Sequence, residues 1–217
     1  MAARQTRNAD ASRARVWSAA AAEFAARGFA GASVDRIAAA ARVNKAMIYY
    51  HFASKAGLYN AILHDTFAAI AAAVQGVREA GGTADAQLRA YVAAIAGIAE
   101  DRPFFPPIWL REVAEAGRHL DPTVASHFKQ VLSALGGILQ QGVAEGSMRP
   151  AHPFLVQLGL VGPLTLFLAS APLRARFSQV HKGVDVSVHD MVEHLQAITL
   201  GGLAPVRATT KTKRKRR

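Results

Sequence analysis

The stretch SVDRIAAAARVNKAMIYYHFASK, Ser33–Lys55, decides how this chain is read. Two short helical patterns are joined within it by a tight turn, and a third helix is due to start at Ser54-Lys55. Ser33 is placed to cap the first helix, which puts Val34, Ile37, Ala38 and Ala41 on one face at helical spacing. Asn44 is placed to cap the second. The small residues Ala38 to Ala41 let the two helices approach closely. This is the arrangement of a helix-turn-helix, in which one helix enters a DNA major groove while its neighbours hold the backbone. Ile48 and Phe52 read as core, and one of Tyr49 and Tyr50 as a residue packed between helices.

Working outward, the pattern stays helical. Asp10 or Ser12 caps an expected first helix that runs to about Arg27, with Val16, Ala20 and Phe24 inward and Gly28 stopping it. On the other side Ser54 caps a long helix from Lys55 to about Glu79, ended by Gly81-Gly82, with Leu58, Ile62, Phe67, Ile70 and Val74 on its buried side. A tilt at its far end would move the head that precedes it. Further helices are expected at Asp85–Glu100, Phe104–Ala116, Pro122–Glu145, Pro153–Ser170 and Val186–Leu200, with prolines at most of the breaks. No segment alternates in the Val/Ile/Thr-rich manner of a strand. The fold class is all-α: an N-terminal three-helix helix-turn-helix domain and a larger helical domain that binds an effector and dimerises. The expected divisions are a basic flexible arm at 1–11, the DNA-binding domain at 12–57, the larger domain at 58–203 and a basic disordered tail at 204–217.

The same residues resemble the DNA-binding domain of TetR-family transcriptional regulators. The resemblance rests on Gly28-Phe29 after an amphipathic helix, the small cap Ser33, the pair Ile37-Ala38, and the Tyr49, Phe52, Lys55 pattern followed by Leu58. It covers about residues 12–64. One departure stands out. The family's turn usually has Gly where this chain has Arg42, so the turn must either avoid a left-handed backbone there or bear some strain.

The resemblance implies a set of DNA contacts. Lys45, Ala46 and Met47, behind the cap Asn44, would lie where base edges are reached, with Lys45 donating to guanine and Met47 packing on a thymine methyl. Tyr49, Tyr50 and His51 would contact phosphates. Lys55 would add a cation at a helix N-terminus. Ser33 and Arg42 would also reach the backbone. Double-stranded DNA with a palindromic operator is the implied partner, because two recognition heads related by a two-fold axis read two half-sites.

The middle helices supply Phe104, Phe105, Trp109, His119, His127, Phe128 and Phe167, an aromatic and imidazole set suited to a small-molecule effector pocket. Ordinary core packing with scattered surface histidines is the competing reading for each. The segment WLREVAEAGRHLDP is similar to the Leu-Arg-Glu segment of some family effector domains; Arg111 and Glu112 read either as contacts to a polar effector or, by default, as a pair with surface neighbours. The late helices, near 153–170 and 186–200, are expected to form a homodimer interface. Leu155, Leu158, Val161 or Gly162, and Thr165 to Leu168 lie on successive turns of the first. Phe154–Leu173 is also about long enough to span a bilayer, at ~20 residues, and no other segment is expected to qualify. Gln157, Pro163 and Thr165 within it favour a buried interface over a membrane span.

Charge and composition set the remaining bounds. The formal net charge is +11, and Arg207–Arg217 holds seven Lys or Arg and no acid, which leaves +4 for the rest. The tail reads either as a non-specific phosphate attractor or as a solubilising segment. Arg4, Arg7, Arg13 and Arg15 form a second basic cluster suited to following the DNA backbone. There are no cysteines, so neither a disulfide framework nor a thiolate metal site is possible. No metal or other cofactor is expected. The start, MAARQTRNADASRAR, lacks an apolar signal core, so a cytoplasmic location is expected. The histidines never fall at i, i+4 with a Glu between, and neither a phosphate loop nor a Gly-x-Ser-x-Gly elbow occurs. A regulator is favoured over an all-α enzyme or a non-specific DNA coater.

Overall fold

The computed structural model describes residues 2–205, and the side chains of these from Asp10 onward except that of Lys182. Among the described residues every regular element is helical. The order is α1 (Ala2–Gly31), α2 (Val34–Ala41), α3 (Lys45–Phe52), α4 (Lys55–Ala80), α5 (Ala84–Asp101), α6 (Phe105–Ala114), α7 (Pro122–Ala144), α8 (Pro153–Ala169), α9 (Ala171–Ser178) and α10 (Val188–Leu203), with a 3₁₀ turn at Lys182–Val184 before the last.

The head consists of α1–α3 packed on the start of α4. Val16, Ala20 and Phe24 of α1, Ile37 and Ala41 of α2, Ile48 of α3 and Leu58 of α4 meet in one core. Local signals account for these helices. Asn44 Oδ1 accepts the Ala46 N–H at 2.9 Å and opens α3, and Ser54 Oγ accepts the Gly57 N–H at 2.9 Å and opens α4. Gly57 is required sterically, since a Cβ there would lie 2.2 Å from the Phe52 carbonyl oxygen. Within α1 the helical dihedrals break at Gly28, at φ 69° and ψ 178°, where the sequence places the stop.

The start of α1 differs from the expectation. The helix begins at Ala2, so Asp10 and Ser12 lie inside it and cap nothing. Ser12 is buried, and its Oγ lies 3.0 Å from His51 Nε2.

The turn after α2 is left-handed. Arg42 sits at φ 54°, ψ 49°, its N–H donating to the Ala39 carbonyl while the Val43 N–H donates to that of Ala38. This is the paired bonding of a Schellman cap, which glycine enters without steric cost and arginine does not. Of the two alternatives the departure at Arg42 left open, the turn takes the strained one.

In the larger domain α4 packs chiefly on α7 and α5, with α6, α8 and α10 completing the bundle. The buried side of α4 carries Leu58, Ile62, Phe67, Ile70 and Val74, as the periodicity requires. A polar chain ties the far end of α4 to α5 and α7: Arg78 donates to Gln87 Oε1 at 2.6 Å, and Gln87 donates to Gln141 Oε1 at 2.9 Å. α9 is a helix where none was expected. Pro172 reads as a break in the sequence, yet it sits in the first turn of α9, where a missing N–H costs nothing. The apolar run Phe154–Leu173 is therefore not one rod, because α8 and α9 are bent by 58° to each other. α4 itself is long and apolar enough to cross a bilayer, contrary to expectation, but half of its apolar window is buried in the bundle.

Candidate nucleic-acid interface and ligand cavity

The outer face of α3 is built by burying its other face. Ile48 and Phe52, four residues apart, anchor the helix in the head core. This turns Lys45, Ala46, Tyr49 and Tyr50 outward. Both tyrosines are exposed, 45% at Tyr49 and 77% at Tyr50, so neither packs between helices. Met47 is half-buried. The Lys45 ammonium lies 2.8 Å from the Asp35 carboxylate on α2, which holds its pKa above the ordinary lysine value through a hydrogen bond and charge attraction. Both groups are exposed, so the pair leaves Lys45 charged and on the open face of α3.

Several expected contact residues also have structural partners. The Lys55 ammonium donates to the carbonyls of Phe29 at 2.9 Å and Ala32 at 3.3 Å, and sits 4.5 Å from the Phe29 ring centroid. It ties the end of α1 to α4, a nonlocal duty that its motif position does not reveal. Arg15 donates to the Ala41 carbonyl at 3.2 Å, and the Arg13 guanidinium lies 5.3 Å from the Phe52 ring centroid. Both thus brace the motif. Ser33 stands at the N-cap of α2 but its side chain makes no capping bond; its backbone N–H donates to Glu23 at 3.1 Å. Arg42 is exposed at the turn. The side chains of Arg4 and Arg7, with the tail from residue 206, lie outside the described residues.

A second assembly joins the head to the bundle, and it centres on the pair for which surface pairing was expected. The Arg111 guanidinium donates to three successive carbonyls at the end of α1, Phe24 at 3.1 Å, Ala25 at 2.7 Å and Ala26 at 3.2 Å. A cation on the free carbonyls of a helix C-terminus satisfies both their hydrogen bonding and the helix dipole. Gly28 allows this approach, since a Cβ there would lie 3.2 Å from Arg111 Cδ. Glu112 is 1% exposed; it accepts from the Tyr59 hydroxyl at 2.7 Å and from His119 Nδ1 at 2.8 Å. Burial first, and the Glu112 carboxylate second, push the Tyr59 phenol well above its ordinary pKa, so it remains a donor at neutral pH. The ligating atoms of Glu112, Glu115 and His119 lie within 4.8 Å of one another, but the bonds to Tyr59 and His119 already account for Glu112 as part of a joint. Phe104 packs edge-on against Trp17 across the same joint, ring centroids 5.1 Å apart.

The effector residues named from the sequence separate into two groups. Phe105, Trp109 and Phe128 line one apolar cavity between α4, α5, α6, α7 and α8. Its volume is small, about 50 Å³. Phe67 meets Phe105 and Trp109 edge-on at 5.4 and 5.1 Å between centroids. The others lie elsewhere. Phe104 and His119 belong to the joint, His127 meets His64 at 3.3 Å between ring nitrogens, and Phe167 lies under the Arg174 guanidinium. Gln157 and Thr165 reach the cavity from α8; Thr165 had been assigned to the dimer face and Gln157 only counted against a membrane span, and their polarity within an apolar run was the available signal. A larger polar trough beside Arg78, Lys129 and Gln130 is open to solvent.

The outer side of α8 is apolar and bare. Leu155 (64%), Leu158 (58%) and Leu166 (61%) are exposed, and a Cβ added at Gly159 or Gly162 would meet nothing within 4 Å. On the neighbouring α10, Ile198 is exposed while Leu195 is buried. Leu164 and Thr165 turn inward, so the bare face follows the expected Leu155 and Leu158 and, within the expected Thr165–Leu168 stretch, Leu166.

Comparison with known proteins agrees with this geometry. Residues 17–62 match the family model for bacterial regulatory proteins of the tetR family. The HTH-type transcriptional repressor SCO4008 of Streptomyces coelicolor is 49% identical over 57 residues, which cover 26% of this chain and 30% of that protein. The matched stretch thus spans less than a third of that relative. The HTH-type transcriptional repressor NicS of Pseudomonas putida is 28% identical over 147 residues, 67% of this chain and 69% of that protein. Among solved structures, the ketosteroid transcriptional regulator KstR2 of Mycobacterium tuberculosis superposes with a TM-score of 0.72 at 22% identity, over 89% of this chain and 95% of that chain, which extends the likeness in fold through the larger domain. Residues 17–62 thus carry a DNA-binding head similar to that of the tetR family, set on a helical bundle of the same overall fold as these regulators.

Proposed function

We propose that the protein is a dimeric, sequence-specific DNA-binding regulator, in the first instance a repressor, whose hold on a palindromic operator is released by a small molecule. The observation that carries the reading is the outer face of α3: Lys45, Ala46, Tyr49 and Tyr50 stand exposed on a helix whose other face is locked into the head. Lys45 and Ala46 reach base edges, Met47 reaches a thymine methyl, and the tyrosine hydroxyls reach phosphates. His51 supports α3 through Ser12 and contributes to the backbone contact from its exposed edge. Both curated relatives are repressors by name, which favours repression over activation.

The partner copy covers α8 and α10. A bare row of leucines beside two open glycines suits a two-fold, self-complementary helix packing, with a four-helix bundle across the axis. The cavity supplies the effector site. Its wall includes Phe105 and Trp109, and the same helix carries Arg111 and Glu112, which hold the head. A ligand that makes its space by displacing α6 loosens the bonds from Arg111 to α1. A ligand that binds the displaced arrangement better therefore lowers DNA affinity by the reciprocal coupling. The basic segment beyond residue 206 adds salt-dependent phosphate attraction, and the protein acts in the cytoplasm.

Selection of bound duplexes from a random DNA pool at near-physiological salt tests the reading. Recovery of one palindrome is the expected result. Tight binding at low salt with no recovered consensus would leave a non-specific DNA binder.

A further inference from the structure

The cavity contains a polar side chain that the protein leaves partly unused. Gln157 is only 7% exposed, and its Oε1 accepts the Tyr91 hydroxyl at 2.6 Å. Its amide N–H groups have no hydrogen-bond partner among the described residues, and the side chain forms part of the cavity wall. Thr165 is also 7% exposed and lines the cavity without a partner for its hydroxyl among the described residues. The two lie eight residues apart on one helix, ~12 Å along its axis. The remaining lining is apolar, with Phe105 and Trp109 nearly parallel at 13° on one wall and Phe128 also lining it. No lining residue carries a charge.

We propose that the effector is an uncharged, flat, mainly hydrocarbon molecule bearing a hydrogen-bond acceptor, such as a carbonyl oxygen, that the Gln157 amide recognises. This rests on the ligand-responsive reading above and specifies its ligand. A ligand acceptor placed at this unpaired amide gains a hydrogen bond that a hydrocarbon in the same position does not, and is recognised more strongly. A carboxylate or ammonium would enter a lining with no counter-charge and is rejected. The narrow cavity between aromatic walls favours a ring over a bulky branched body, since flat faces stack on aromatic rings with little displacement.

Calorimetric titration of the full chain with three probes of nearly one shape tests this: 2-acetylnaphthalene, 2-isopropylnaphthalene and 2-naphthoate. The ketone is expected to bind about tenfold more tightly than the hydrocarbon, and about a hundredfold more tightly than the carboxylate. Gln157→Leu should close the gap between ketone and hydrocarbon, and the wild-type comparison stands by itself if that variant does not fold. Naphthoate binding as tightly as the ketone, equal binding of ketone and hydrocarbon, or no binding of any probe would each overturn the assignment. Selection of an operator by the same preparation separates these failures from failure of the regulator reading, since DNA recognition needs none of the probes.

Discussion

Helix α3 and helix α8 each bury one side and leave the other bare, but they are bare in different ways. The open side of α3 carries a lysine and two tyrosines, side chains with apolar bodies and polar tips. That of α8 carries Leu155, Leu158 and Leu166, with nothing over Gly159 and Gly162. Water tolerates the first surface and disfavours the second. A charged, hydrated polymer suits polar tips that exchange water for phosphate and base edges. A second copy of the same chain suits a leucine row, because its own leucines are the matching surface. Exposure alone does not separate these roles; the chemistry of the exposed atoms does.

The largest effect should come from charging the leucine face. Leu158→Arg places like charges opposite each other across the two-fold axis, and sedimentation should show a folded monomer. Its operator affinity should fall by more than about a hundredfold, because two half-sites are no longer held together. A dimer that survives would move the interface away from α8. On the other face, Lys45→Ala should leave the oligomer intact and reduce discrimination at one base pair per half-site by about 1–3 kcal/mol. Competition between duplexes that differ at single positions measures this, and an unchanged preference would remove Lys45 from base readout.

A smaller effect is expected at the joint between the two regions. Arg111→Met keeps the packing but removes three hydrogen bonds to α1, and should lower stability by about 2 kcal/mol in denaturant unfolding. Equal stability would mean that water caps α1 as well as the guanidinium does. The smallest effect has the opposite sign. Arg42→Gly relieves the left-handed position at φ 54° and should raise stability by up to about 1 kcal/mol, read as a rise in the midpoint. No gain would mean that the extra freedom of glycine in the unfolded chain cancels the relief.

These residues also mark what could be read before the structure was known. The head was legible because its signals are local: Asn44 and Ser54 cap helices within three residues of themselves, and Ile48 and Phe52 recur at one turn. The bundle helices were legible for the same reason, from their apolar period and their flanking prolines. The structural partners of Lys55, Arg15 and Arg111 were not legible because they lie 26, 26 and up to 87 residues away. A basic side chain near a DNA-binding motif looks the same in sequence whether it meets phosphate or a helix carbonyl. The cavity was half legible. Phe105, Trp109 and Phe128 declared themselves as aromatics, while Phe104, His127 and Phe167 point to other neighbours that only the packing of α1, α4 and α9 determines. Pro172 marked the break after α8 but not the helix it opens, because a proline that ends one helix and a proline that opens the next look the same in sequence.

The central claim is that α8 and α10 bring two copies together so that two α3 helices read one duplex. Native mass spectrometry of the protein with its selected operator measures this directly. The account predicts two chains for each duplex carrying two half-sites, and two chains per free particle. One chain bound to one duplex at full affinity would contradict it.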